Sequence, residues 1–166
     1  MIFMVFGFPV GKHVFRSDDY GMYEMKTIGR RDKIDFPAFE LYELPVKIDT
    51  GAYGCAIHCH YAQVTERDGV EVLAFKVLDP SHPEYANVIH YTADFTQKKV
   101  KSSVGVSQMR YAIKTIVIVF DTPYKVTFTL TDRKKMKYPV LIGRKFLNKK
   151  FLVDVSLKDL SFNSKQ

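Results

Sequence analysis

Cysteine is scarce: the 166-residue chain has two, both inside one short segment. Two thiols that close together cannot frame a disulfide-stapled fold, so a reducing compartment and a cytoplasmic location are expected. Long hydrophobic runs are missing too. The most apolar stretch, the opening MIFMVFGFPV, is too short to span a bilayer and lacks the basic n-region and small-residue cleavage site of a signal peptide. No membrane partner is expected, and residues 1–25 read as a loosely attached extension, with Met22 or Met25 as an alternative start. Also absent are an HExxH motif, the two separated ligand pairs of a zinc finger or ribbon, and a GxxxxGK[ST] phosphate loop. No metal and no cofactor are expected.

What is present is a hydrophobic fraction of 46% and an aromatic fraction of 14%, enough to build one globular domain. The formal net charge of +7 asks for an anionic partner. Its basic residues come in small dispersed groups, among them Lys98, Lys99 and Lys101, and Arg133 to Lys137. No Arg/Gly-rich tail or aromatic ribonucleoprotein motif accompanies them. A solvated basic surface or an acidic substrate therefore ranks ahead of nucleic acid.

After residue 40 the chain reads as short strands separated by turn residues, which predicts a mostly β fold. Leu44–Ile48 runs into an Asp-Thr-Gly turn. Ala56–Val64 and Val70–Leu78 flank Asp68-Gly69, a tight-hairpin signal. Tyr111–Phe120 and Lys125–Leu130 flank a second hairpin, with Pro123 read as part of its turn. Within it, the continuously apolar TIVIVF predicts a strand covered on both faces, and the alternating KVTFTLT one with a wet face. One short helix is expected at Arg144–Lys149 and a last strand at Phe151–Val155. The segment from Leu78 to Gly105 reads as a long loop or a mobile hairpin, a candidate functional excursion from the core.

The segment KIDTGAYGCAIHCH, Lys47–His60, concentrates an Asp, two Cys and two His. As a zinc site it is poor, because on a strand Cys55 and Cys59 face one way and His58 and His60 the other. A thiol nucleophile needs a histidine base, and nothing places His82 or His90 near Cys55 or Cys59; small buried cysteines fit a β core better. The third reading is a carboxylate: Gly51 permits a tight turn, Thr50 hydrogen-bonds locally or to a partner chain, and Asp49 is presented at a strand end.

DTGA followed far downstream by VLIGRKFL resembles the two halves of the retropepsin-type aspartic peptidase domain. The likeness is closer to a retropepsin-like family carrying the label "ATP-dependent zinc protease" and linked with ATP-grasp glutamate ligases. The matching pieces are IGRRDKIDFP, VKIDTGAYGCAIHCH, KKVKSSVG with Arg110 after it, TLTDRKKMKYPVLIGRKFL and FLVDVS. The resemblance implies a closed β-barrel over residues 26–158 with one short C-terminal helix and a tail at 159–166. It implies Asp49 as the catalytic aspartate, Thr50 and Gly51 as loop residues bracing it across a dimer, and Ala52, Gly143 and Arg144 as supports of the loop or the substrate. Tyr53 and Gly54, with Lys101 and Arg110, are carried as substrate-contact candidates. His58 matches a histidine usual in the family, with no role assigned. The chain departs from the family at Tyr53-Gly54-Cys55, where Arg-Thr-Ser is common, and no acidic residue near Tyr53 is available to pair with Arg144. ATP and zinc, despite the label, have no support in the sequence.

The aspartic mechanism needs two carboxylates sharing one proton, and the chain has a single D-[S/T]-G. The expectation is a C2 homodimer with Asp49 of each subunit on the axis, acting on a peptide or protein, with acidic, glutamate-rich tails as candidate substrates. A non-catalytic binding module on the same fold is the alternative.

Overall fold

The computed structural model describes residues 25–101, 105 and 107–165. Apart from Met25, the extension expected at 1–25 lies outside them.

Alternating patterns and turn residues give, in chain order, β1 (Lys26–Gly29), β2 (Arg31–Phe36), a 3-10 turn at Pro37–Phe39, β3 (Leu41–Asp49), β4 (Cys55–Arg67), β5 (Val70–Val77), β6 (His90–Thr92), β7 (Phe95–Lys101), β8 (Ser107–Val119), β9 (Thr122–Thr131), β10 (Val140–Gly143), helix α1 (Arg144–Leu147), β11 (Phe151–Asp154) and helix α2 (Leu160–Asn163). The pairings β10–β3, β3–β2, β2–β8, β8–β9, β9–β4 and β4–β10 close six strands into a ring. The fold is mostly β and closed, as expected. From the ring, β5 and β6 extend beyond β4, β7 folds back on β8, and β1 and β11 form a separate parallel pair.

The ring closes around an apolar interior. Phe36, Leu44, Val46, Ile57, Val117, Phe128 and Val140 are all fully buried. Each such side chain stabilises the fold by about 1.5–3 kcal/mol, and the Phe36 and Phe128 rings meet at 5.5 Å. Burying this face of β3 and β10 fixes their register, which sets Gly143 beside Asp49.

Two local expectations are corrected. The stretch TIVIVF is not covered on both faces: Thr115, Val117 and Val119 point inward, whereas Ile116 is 39% exposed. Its alternation is one of position, which an all-apolar run conceals. The turn between β8 and β9 is Phe120-Asp121, both residues at positive φ, and Pro123 lies within β9 opposite Ile118. The first hairpin turns at Asp68-Gly69 with φ of 53° and 74°, the conformation that pair suits. The central segment resolves into a loop from Asp79, the short β6, and a β7–β8 hairpin that carries Lys98, Lys99, Lys101 and Arg110.

Helix α2 is a second helix that the sequence pattern did not reveal. The buried Asp32 carboxylate accepts the backbone N–H groups of Ser161 (2.9 Å) and Phe162 (3.0 Å), and the Ser161 hydroxyl accepts the N–H of Phe120 at 2.6 Å. A four-residue helix is not stable alone, so these long-range bonds hold it against β2.

Candidate active site

Asp49 ends β3, where the chain leaves the sheet through Thr50 and Gly51. Its Oδ1 accepts the N–H of Gly51 at 3.1 Å and of Ala52 at 3.3 Å, and its backbone carbonyl accepts the Ala52 N–H at 3.2 Å. One carboxylate oxygen is thereby fixed by the loop. The other, Oδ2, lies 3.3 Å from the Lys47 ammonium, a half-exposed ion pair of small energetic weight. The side chain is 25% exposed, and Thr50 and Gly51 are exposed.

The loop is braced from β10 and α1. The N–H of Arg144 donates to Ala52 O and that of Lys145 to Tyr53 O, both at 2.9 Å. A Cβ at position 143 would lie 2.2 Å from the Gly54 carbonyl oxygen and 2.9 Å from that of Ala52, so only glycine permits the approach. Arg144 donates to Gly51 O at 3.1 Å, and its guanidinium lies 5.7 Å from the centre of the Tyr53 ring. The missing acidic partner of Arg144 is thus replaced by a carbonyl and an aromatic face. Thr50, Tyr53 and Arg144 border an open groove of about 600 Å³ that continues to Leu152 and Val153 on β11.

The structure therefore brings Asp49, Thr50, Gly51, Ala52, Tyr53, Gly54, Gly143 and Arg144 together. Lys101 and Arg110 are carried by the β7–β8 hairpin, with Arg110 opposite Lys98, and make no hydrogen bond to that loop among the described residues.

The other candidates in the segment resolve differently. Cys55 and Cys59 are buried free thiols, each pushed up to about 11 by burial. The Cys55 sulfur accepts the Gly143 N–H at 3.4 Å, and the Cys59 thiol donates to Tyr61 O at 3.0 Å. His90 packs against the rings of Phe39 and Phe75, and His82 accepts the N–H of Glu84, so both make contacts other than to a thiol. His60 bonds Leu78 O through Nδ1. Among the described residues no three His, Cys, Asp or Glu side chains converge as a metal set.

His58 is fully buried, contrary to the simple alternation that would place it with His60. Its Nδ1 accepts the backbone N–H of Arg133 at 2.9 Å, which leaves the proton on Nε2 to be donated to Asp79 at 2.6 Å. Ser81 also donates to Asp79 through its hydroxyl and N–H, and with His58 holds that carboxyl well below its ordinary range. Sequence reasoning missed Asp79 and Arg133 as members of this network, since no local pattern links residues 58, 79 and 133.

The closed β ring, the braced D-T-G loop and the apolar strand running into Gly143 define a retropepsin-like domain. The chain belongs to the RimB-like family, described as retropepsin-like aspartic endopeptidase RimB, whose model matches residues 27–163. Curated relatives include two proteins named probable alpha-L-glutamate ligase. The one from Shewanella pealeana is 29% identical over 78% of this chain and 28% of its own length, and the one from Desulfotalea psychrophila is 27% identical over 80% and 29%. The chain thus spans less than a third of the length of the curated relatives it matches. A solved structure of a Legionella pneumophila protein of unknown function aligns with a TM-score of 0.58 at 22% identity, covering 81% of this chain and 97% of that one, a likeness of fold alone. Among the described residues no helix is long and apolar enough to cross a membrane.

Proposed function

We propose that the protein is a homodimeric aspartic-type peptidase that hydrolyses an amide bond through a water activated between Asp49 of one subunit and Asp49 of its partner. The observation that carries this is the loop geometry: Asp49 is held by two backbone N–H groups on Oδ1 while Gly143 and Arg144 fix the loop from behind. A carboxylate so held is oriented before substrate arrives, which is what proton transfer in both directions requires. Brought together on a two-fold axis, two such groups cannot both ionise. One takes the proton of the attacking water while the other donates to the scissile carbonyl.

Support for a dimer comes from the exposure of Thr50, Gly51, Tyr53 and Gly54, which leaves the loop beside Asp49 open on one face. The groove leading from Thr50 along β11 offers a face for a second copy. The substrate class we favour is an acidic, glutamate-rich peptide segment, because the net charge is +7 and the family match sits beside relatives named for glutamate ligation. Zinc and ATP have no place in this mechanism.

A second reading is a binding module that partners a glutamate ligase or acidic peptide without cleaving it. It is favoured by the match to a portion of proteins named as ligases. Mass-spectrometric mapping of cleavage in a peptide mixture that includes oligoglutamate-tailed peptides separates the two. Wild type is expected to cut without added metal or ATP, and Asp49→Asn to lose about 10²-fold or more in rate, the scale of acid–base catalysis. Equal cleavage by both proteins contradicts the Asp49 assignment, and no cleavage by wild type across a broad pH range favours the binding module.

A further inference from the structure

Of the two Asp49 carboxylate oxygens, Oδ1 is held by the N–H groups of Gly51 and Ala52, and Oδ2 is the one left to meet a water or a substrate. The Lys47 ammonium lies 3.3 Å from that oxygen. Strand alternation explains the contact: Leu44, Val46 and Ile48 turn into the core, so Lys47 and Asp49 share the outward face of β3, two residues and about 6.6 Å apart along the strand. The lysine stem spans that gap.

The ammonium has donors to offer a second acceptor. Among the described residues Asp49 is its one charged partner, the Lys47 side chain is 51% exposed, and an ammonium carries three donors. Directly across on β2 stands Arg31, a like charge on the same face, an arrangement that is unfavourable unless anions lie close. Arg31 is itself paired with Asp159 at 3.5 Å, which leaves Asp49 to Lys47. Being solvated, the Lys47–Asp49 pair is weak and costs little to exchange. It nevertheless covers the oxygen that the proposed hydrolysis needs.

We propose that Lys47 is the specificity-determining residue: its ammonium pairs with Asp49 Oδ2 in the free protein and passes to a substrate side-chain carboxylate beside the scissile bond. This rests on the reading of the Asp49 loop as a peptidase site, and it names the residue that tells glutamate from glutamine. An acidic side chain gives the ammonium a replacement acceptor, so the exchange keeps Lys47 paired and uncovers Oδ2 for the attacking water. A neutral amide offers only a dipole, and the ammonium stays on Asp49. Selectivity therefore enters the rate as well as the affinity.

The first readout is binding, which needs no turnover. In the full chain carrying Asp49→Asn, fluorescence anisotropy measures the affinity for a labelled oligoglutamate peptide and for its oligoglutamine counterpart. The glutamate peptide is expected to bind at least about tenfold tighter, a ratio worth about 1.4 kcal/mol. Adding Lys47→Gln should lower that ratio by about fivefold or more, and Lys47→Arg should keep it within about twofold, because the charge remains. Lys135→Gln removes one exposed charge from the loop before β10, at the end of that strand away from Gly143, and should also leave the ratio within about twofold. With Asp49 intact, cleavage rates give the second readout. Lys47→Gln should lower kcat/KM for the glutamate peptide and raise kcat for the glutamine peptide, since no ammonium then covers Oδ2. The proposal is overturned if the parent shows no glutamate preference, or if Lys47→Gln lowers the ratio no more than Lys135→Gln does. Equal slowing of both peptides by Lys47→Gln would also overturn it, as the mark of a lysine that only supports the loop. Failure of the peptidase reading shows separately, as cleavage indifferent to Asp49→Asn.

Discussion

Gly143→Ala is a perturbation whose cost can be worked from the coordinates. The added Cβ would fall 2.2 Å from Gly54 O, 2.7 Å from Gly54 C and 2.9 Å from Ala52 O. All three are backbone atoms of the loop, so relief requires β10 and the loop to separate rather than a side chain to turn. Separation stretches the bonds from Arg144 N to Ala52 O and from Lys145 N to Tyr53 O. Overpacking costs about 1–3 kcal/mol, and each lost hydrogen bond adds about 0.5–1.5 kcal/mol. The expected destabilisation is about 2–6 kcal/mol, a large share of the roughly 5–15 kcal/mol available to a domain. Gly54→Ala is the internal control: nothing lies within 4 Å of its added Cβ, and it should change stability by less than about 0.5 kcal/mol. Because the chain has no tryptophan, urea unfolding is best followed by far-ultraviolet circular dichroism. A Gly143→Ala midpoint equal to that of Gly54→Ala would refute the packing argument and with it the bracing of Asp49.

Other consequences are open to direct measurement. Asp79 has a folded pKa held below its ordinary value near 3.8 by Ser81 and His58. The stability it supplies is therefore complete above about pH 4 and is lost as pH falls through the lower folded value. Asp79→Asn should flatten the acid limb of a stability-against-pH curve, and an unchanged slope below pH 4 would contradict the assignment. Cys55 and Cys59, with pKa values near 11, should resist iodoacetamide at pH 8 in the native protein and react once urea unfolds it. Rapid alkylation of either in the folded state would show that burial has been misjudged.

How far the sequence foretold the site depends on the range of the interactions. The Asp49 loop was legible because a strand, a tight turn and a glycine are local signals, and Asp68-Gly69 was legible for the same reason. The Phe120-Asp121 turn was not, since neither residue advertises positive φ and Pro123 drew attention two positions too far. Ile116 was misplaced because an apolar run carries no periodicity to show which face is wet. The counterpart of Arg144 could be seen to be missing as a carboxylate, yet its replacement by the Tyr53 ring and the Gly51 carbonyl exists only in three dimensions. The same holds for His58: its family resemblance gave a position without a role, and the role depends on Asp79 and Arg133, which the chain brings together from three separate segments. Helix α2 was hidden because its stability comes from Asp32, in contact with it in space but far away along the chain.

The central claim is that each chain holds half of an active site. Wild type and Asp49→Asn subunits, mixed in equal amounts after a cycle of dissociation and reassembly, give the most direct test, with cleavage of an oligoglutamate-tailed peptide as the readout. If both Asp49 carboxylates of a C2 dimer are needed, activity falls to about one quarter of the all-wild-type value, because only homodimers of wild type work. Activity of about one half would mean that each subunit acts alone, and the shared dyad would be wrong.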